Sequence, residues 1–295
     1  MSRFLKFFGL SAISLMFISA VKPSQVEAST YKKATFSIPK GYTKSNLKKA
    51  YLYSEMSSSK KKKWLKKKKN STWLKKWRQT NIKGMKANNF DTKNFSESSK
   101  DNTTVINLSK GQVSSSQAKA LAKYSLRLIN QSRKKLGLKS WKYSGGTQKL
   151  AKYIADEYVS NNKNIATGHY IAGIVRACNK AGLNLPGQYN YVEDMAGCID
   201  SPTVSMTTLK KDIYFGLKTM IFGYRASNLK NVNKLNEYRE WSHAGDLFNT
   251  QGSLYDGDWD YYGFSVSYTK GTYSFHYIGV PSHLKKTEYW GSFKA

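Results

Sequence analysis

The stretch Ala122-Lys123-Tyr124-Ser125-Leu126-Arg127-Leu128-Ile129-Asn130-Gln131-Ser132-Arg133, with Leu136-Gly137-Leu138 close behind it, decides the fold. Leu121, Ser125, Leu128 and Ile129 fall on one side of a helix of 3.6-residue period. Ser116 offers a capping hydroxyl, and Gly137 stands where a helix end takes a left-handed residue. The spacing therefore predicts a surface helix with one apolar stripe. A second is predicted from Thr147 to about Asn161, where Leu150, Ile154 and Tyr158 recur beside Ala151 and Ala155. A third spans Thr207 to Phe222 on Leu209, Ile213, Leu217 and Met220, ended by Gly223. The period then changes to two. Phe264, Val266 and Tyr268 alternate with Gly263, Ser265 and Ser267, and Tyr273, Phe275 and Tyr277 with Ser274, His276 and Ile278. With Thr269-Lys270-Gly271-Thr272 as the turn, this reads as an antiparallel hairpin. Helices followed by a hairpin indicate the α+β class rather than a doubly wound sheet.

Upstream of these elements the chain is strongly basic. Of its 295 residues, 49 are Lys or Arg and 18 are Asp or Glu, a net charge of +31. Residues 29–110 hold 22 of the basic and 4 of the acidic ones. Ser59 to Lys69 contains two four-lysine blocks around Trp64-Leu65, and Trp73, Leu74 and Trp77 follow at helical spacing. Lys61, Lys62, Lys67 and Lys68 with Trp64, Trp73 and Trp77 are the candidates for polyanion docking, because lysines neutralise repeated phosphates and indoles add stacking. Residues 91–116 turn Ser/Asn/Lys-rich and read as a linker, so the folded domain is expected to begin near Ser115. The expected organisation is a leader over 1–28, a basic, poorly ordered region with its linker over 29–114, and one domain over 115–295. The leader has Arg3 and Lys6, an apolar run from Phe7 to Val21, and the exit Val26-Glu27-Ala28. That run is shorter than the roughly 20 residues a membrane span needs, so export is expected.

Several chemistries find no support. There is no H-E-x-x-H, Walker loop, dinucleotide glycine fingerprint or G-x-S-x-G elbow, which removes phosphoryl transfer and nicotinamide chemistry. The histidines are His169, His243, His276 and His283. On hairpin parity His276 points to the face opposite Phe275, as a structural residue. Cys178 and Cys198 could close a disulfide in an exported chain, stand as two buried thiols, or supply a Cys-His pair.

In order, the Leu-Ile-Asn-x-x-Arg helix, Leu150-Ala151, Gly168-His169, Tyr191-Val192-Glu193-Asp194-Met195-Ala196-Gly197, Trp241-Ser242-His243-Ala244-Gly245-Asp246-Leu247-Phe248-Asn249, and the strands Gly263-Phe264-Ser265-Val266 and His276-Tyr277-Ile278-Gly279-Val280 resemble the CAP superfamily. This is the SCP domain of cysteine-rich secretory, antigen 5 and pathogenesis-related proteins. The lysine-rich front resembles bacterial surface proteins of the SEC10/PgrA type. The resemblance implies an α-β-α sandwich with a small antiparallel sheet, and a cleft whose histidines and acids hold a divalent metal in several members. His169 and His243 take the histidine positions and Glu193 the first acidic one; Glu240 or Glu237 takes the second. Two imidazoles and a carboxylate suit zinc or another divalent cation. For an exported bacterial protein, the expected partners are an anionic cell-wall polymer such as teichoic acid, or the membrane surface, with no specific nucleic acid. The expected role is an envelope-associated binding protein, with a metal-assisted wall hydrolase or a structural surface-exclusion factor as alternatives.

Overall fold

A computed structural model describes residues 16–17, 33–89, 98–225, 231–252, 254 and 257–295. Apart from Met16–Phe17, the expected leader lies outside the described residues, as does the front of the expected linker, residues 90–97. In chain order the elements are β1 (Met16–Phe17), α1 (Lys44–Ser54), α2 (Ser58–Leu65), α3 (Lys68–Ala87), α4 (Ser99–Thr103) and β2 (Val105–Asn107). They continue with α5 (Ser115–Lys135), β3 (Lys142–Tyr143), α6 (Gly145–Ser160), α7 (Ile171–Ala181), β4 (Glu193–Ile199) and β5 (Thr203–Ser205). The last are α8 (Met206–Phe222), α9 (Ser242–Leu247), β6 (Asp260–Thr269) and β7 (Thr272–Pro281).

The three expected helices are α5, α6 and α8, and their ends show why they form where they do. Helix α5 is capped by Ser114 rather than Ser116, because Ser114 has Gln117 three residues on. The Ser114 hydroxyl accepts the Gln117 N–H, and the Gln117 side chain accepts the Ser114 N–H, a reciprocal capping box. At the other end Gly137 turns left-handed (φ 67°), and the Leu138 N–H returns to the Arg133 carbonyl at 2.9 Å. The hairpin of β6 and β7 closes on Lys270 and Gly271, both with positive φ, as a two-residue turn matched to strand twist requires.

The main sheet runs β1-β4-β7-β6-β3, with β4, β7 and β6 antiparallel and β1 and β3 added in parallel at the edges. Tyr262, Phe264, Val266, Tyr273, Phe275, Tyr277, Ala196 and Cys198 are buried on one face in a cluster with α5 and α8. Met195, Ile278 and Val280 are buried on the other against Leu150, Ile154 and Tyr158 of α6 and Ile174 and Ala177 of α7. Helices thus cover both faces of an antiparallel sheet, the α+β sandwich.

The domain does not begin at Ser115. Leu47 and Ala50 of α1 and Leu74, Trp77 and Met85 of α3 are buried in the same cluster as α8 and α9. The basic region is helical from Lys44 to Ala87 apart from short breaks, and its apolar positions recur at helical spacing while its lysines face water. Packing of α3 on α8 is tight at Gly84, where a Cβ would overlap the ring of Phe222. Among the described residues, no helix is long and apolar enough to cross a membrane.

Candidate functional site

Glu193 begins β4 on the α6/α7 face, and the chain just before it is built to hold it. The Asn190 side chain accepts the Glu193 N–H at 2.9 Å and donates to the Glu193 carbonyl at 2.7 Å, closing a short turn around the carboxylate's own backbone. Both carboxylate oxygens are engaged. Oε1 lies 2.6 Å from His276 Nδ1; Oε2 lies 2.7 Å from His169 Nδ1 and accepts the Tyr158 hydroxyl at 2.9 Å. Tyr158 in turn accepts the Tyr170 N–H at 2.7 Å, which ties the loop carrying His169 to α6. On its far side His276 Nε2 meets the Ser267 hydroxyl at 2.8 Å. Burial pushes the Glu193 carboxyl up, but the hydrogen bonds from His169 and His276 outweigh it and hold the group down at about 2. A buried anion is kept because its partners donate to it.

His243 enters from the start of α9, with its ring centroid 6.3 Å from that of His169. Burial depresses it to about 4; Glu240 opposes that shift and His169 reinforces it, so the ring is neutral at pH 7. Glu240 accepts the Ser242 N–H at 3.0 Å and stands 3.9 Å from Arg225. Glu237 sits elsewhere, its charge acting on Tyr224 while its carbonyl accepts the Arg225 N–H. Of the two acidic candidates, Glu240 is the one beside His243.

The structure therefore brings His169, Glu193, His243 and Glu240 into one region, and adds three residues the sequence reading did not assign to it. His276, Tyr158 and Ser267 join through sheet geometry. His276 pairs with Met195, two residues from Glu193 on the same face, and Ser265 pairs with His276, two residues from Ser267. Diagonal neighbours of this kind are within side-chain reach. The parity of the hairpin placed His276 and Ser267 on the α6 face; that Glu193 opens a paired strand was the missing fact.

The structure selects among the readings left open for the cysteines. Cys178 and Cys198 are separate buried thiols. Cys178 belongs to the α6/α7 side and Cys198 to the α5/α8 side, so the sheet stands between them. Burial, reinforced by Glu193, raises the Cys178 thiol to about 12, and burial raises that of Cys198 further still, which makes both poor nucleophiles. Among the docking candidates, the indole of Trp77 is packed in the core. Trp77 is 2% exposed. Trp64 and Trp73 are half-buried in an aromatic ladder that runs from Tyr53 through Trp64, Trp73 and Trp77 to Trp241, beside His243. Lys62, Lys67 and Lys68 are exposed, whereas Lys61 is half-buried and donates to the Ser54 carbonyl at 2.7 Å. In an amphipathic pair of helices the indoles go to the core because burial of their large apolar area is favourable, while the ammonium groups stay hydrated.

The donor set also bears on a metal. Among the described residues, no group of three or more His, Cys, Asp or Glu side chains is placed to hold one. With Nδ1 of His169 on Glu193, the carboxylate occupies the outer position behind an imidazole. The two imidazoles nearest each other are those of His169 and His243, with ring centroids 6.3 Å apart.

No family model matches this sequence, and no curated protein matches it. Among solved structures, the CAP domain of Enterococcal PrgA superposes with a TM-score of 0.59 at 21% identity, covering 88% of this chain and 90% of that one. That coverage exceeds what residues 115–295 can supply, so the shared architecture takes in part of the basic region. With helices on both faces of an antiparallel sheet and two histidines and a glutamate at the end of that sheet, the chain has the fold of the CAP superfamily.

Proposed function

We propose that this is an exported protein held on the cell envelope by charge, with the cleft of the CAP fold as its recognition site. The observation that carries the reading is the sorting of side chains on α2 and α3. Lys62, Lys67 and Lys68 face out while Trp77 is buried and Trp64 and Trp73 are half-buried, so the charge stands on a packed helical surface rather than a loose tail. A polymer of repeated phosphates, such as teichoic acid, matches closely spaced lysines better than an isolated ligand does, and such contacts weaken with salt through counterion release. The test is co-sedimentation of the full chain with cell walls that carry or lack teichoic acid, over a series of NaCl concentrations. Retention that falls about tenfold or more with salt, and again in Lys62→Glu/Lys67→Glu/Lys68→Glu, supports the reading. Equal retention on stripped walls moves the anion to the membrane surface, and retention indifferent to salt and to the triple variant overturns charge docking.

In the cleft, His169 through Nε2 and His243 would hold a divalent cation such as zinc, with Glu193 as the outer carboxylate. A bound cation there would polarise a carbonyl or phosphoryl oxygen. Calorimetric titration with zinc, lost in His169→Ala and His243→Ala, tests the site directly. The alternative of a metal-assisted hydrolase of wall material is favoured by one observation, the carboxylate-oriented imidazole of His169. It requires wall cleavage that disappears on chelation and in His243→Ala while wall binding persists. Binding without cleavage leaves recognition, or surface exclusion by occupancy, as the role.

A further inference from the structure

We infer that Ser267 and His276, on the sheet face beneath the cleft, are positioning residues that fix which nitrogen of His169 carries the proton, so that Nε2 reaches the cleft bare, as an acceptor. The argument follows the hydrogen bonds outward from the sheet. The Ser267 hydroxyl lies 2.8 Å from His276 Nε2, and Glu193 Oε1 lies 2.6 Å from His276 Nδ1. A carboxylate can only accept, so His276 Nδ1 bears hydrogen and its Nε2 takes the serine proton. With Oε1 so held, Oε2 faces His169 Nδ1 at 2.7 Å and Tyr158 at 2.9 Å, and His169 Nδ1 must donate in its turn. The Asn190 amide, which donates to the Glu193 carbonyl at 2.7 Å, also lies 3.2 Å from His169 Nδ1, but Nδ1 and the carboxylate Oε2 at 2.7 Å cannot both be acceptors, so the proton stays on Nδ1. Ser267, His276 and Glu193 are 1%, 0% and 5% exposed, so water does not compete for these bonds. The chain Ser267, His276, Glu193, His169 thus runs from a dry sheet face to an imidazole whose side chain is 11% exposed.

The consequence is a selection rule. With its Nδ1 proton on Glu193, His169 offers Nε2 as an acceptor to occupants that bring a proton donor or a positive charge, such as a hydroxyl, an ammonium or a cation. The inference rests on the cleft being the recognition site, but not on a metal, and its test uses metal-free protein. Long-range ¹H–¹⁵N correlation spectra of the ¹⁵N-labelled full chain at pH 8, in the presence of a chelator, report the proton on each ring nitrogen. His169→Asn and His276→Asn assign the signals. The expected result is the Nδ1–H form for both His169 and His276. Ser267→Ala and His276→Phe should each lower the ratio of Nδ1–H to Nε2–H at His169 about tenfold or more, and His276→Gln, which restores a donor to Oε1, should recover it. A proton on Nε2 of His169 in the wild type overturns the inference by itself, whether or not a variant folds. So does an unchanged His169 ratio in a folded Ser267→Ala. Zinc titration of the same samples then reports separately on the cleft: a wild type with the expected tautomer that binds no zinc removes the metal and leaves the positioning intact.

Discussion

Arg133 is fully buried, and its guanidinium donates to the carbonyls of Lys139 at 2.7 Å, Leu247 at 2.6 Å and Asp258 at 3.0 Å while lying over the Trp141 ring. One planar fork pins two loops and the end of α9. Burial lowers its pKa to about 10, so it remains charged at neutral pH. Lysine keeps the charge and loses the fork, leaving buried carbonyls unpaired. Arg133→Lys should cost about 2–4 kcal/mol of stability, measured by urea unfolding at pH 7. The titrating groups set a pH dependence of defined sign. His243 has a folded pKa of about 4, below the roughly 6.5 of an unfolded chain, so the unfolded state takes the proton first. Its contribution is complete above about pH 6.5 and is lost as pH falls towards 4. Glu193, held at about 2 against roughly 4.3 unfolded, loses its contribution over the lower window from about pH 4.5 to 2. Urea midpoints followed from pH 7.5 to 2.5 should show both declines, and the upper one should be absent from the His243→Asn profile.

At the scale of elements, α3 is the test of the whole basic region. If it were an arm, removing its indole would leave stability unchanged. Trp77 instead stacks on Tyr42 at 5.0 Å and meets Trp241 at 6.0 Å inside the core. Trp77→Ala should destabilise the protein by about 3–5 kcal/mol in a chemical denaturation curve. Gly84→Ala drives a methyl group into Phe222 on α8 and should cost about 1–3 kcal/mol by the same measurement. The partition of the thiols is also an element-level statement, since the sheet separates α7 from the α8 side. Intact mass should be unchanged by reductant, and both Cys178 and Cys198 should react with a thiol reagent only after unfolding.

For the whole molecule, charge and core are superposed rather than divided between an arm and a domain. Residues 33–88 cannot be deleted to ask what the lysines do, because Phe36, Tyr42, Leu47, Leu74 and Trp77 leave the core with them. A chain of residues 98–295 should lack a cooperative thermal transition by circular dichroism, whereas reversal of Lys62, Lys67 and Lys68 on the intact chain should preserve it. That contrast makes the surface substitutions, not the truncation, the proper probe of envelope retention.

Local chemistry was enough for much of this protein. The stripe on α5, the period of two in the hairpin, Gly137 and Lys270-Gly271 at their turns, and the sorting of apolar from charged positions are properties of a few adjacent residues, so the sequence alone determined the α+β class and the helices α5, α6 and α8. His169, Glu193 and His243 were named by the resemblance to the CAP superfamily, not by any local pattern. What tertiary structure decided was who meets whom. Strand β4 is buried on both faces and carries Asp194 and Gly197 among its residues, so no alternation marks it, and without it nothing connects Glu193 to His276 or Ser267. The lysine blocks read as a solvated arm because charge dominates their composition, while their fate depended on a complementary apolar surface on α8 and α9 that is assembled more than a hundred residues downstream. Cross-strand register and long-range burial are set by the free energy of the whole core, which no window of sequence contains.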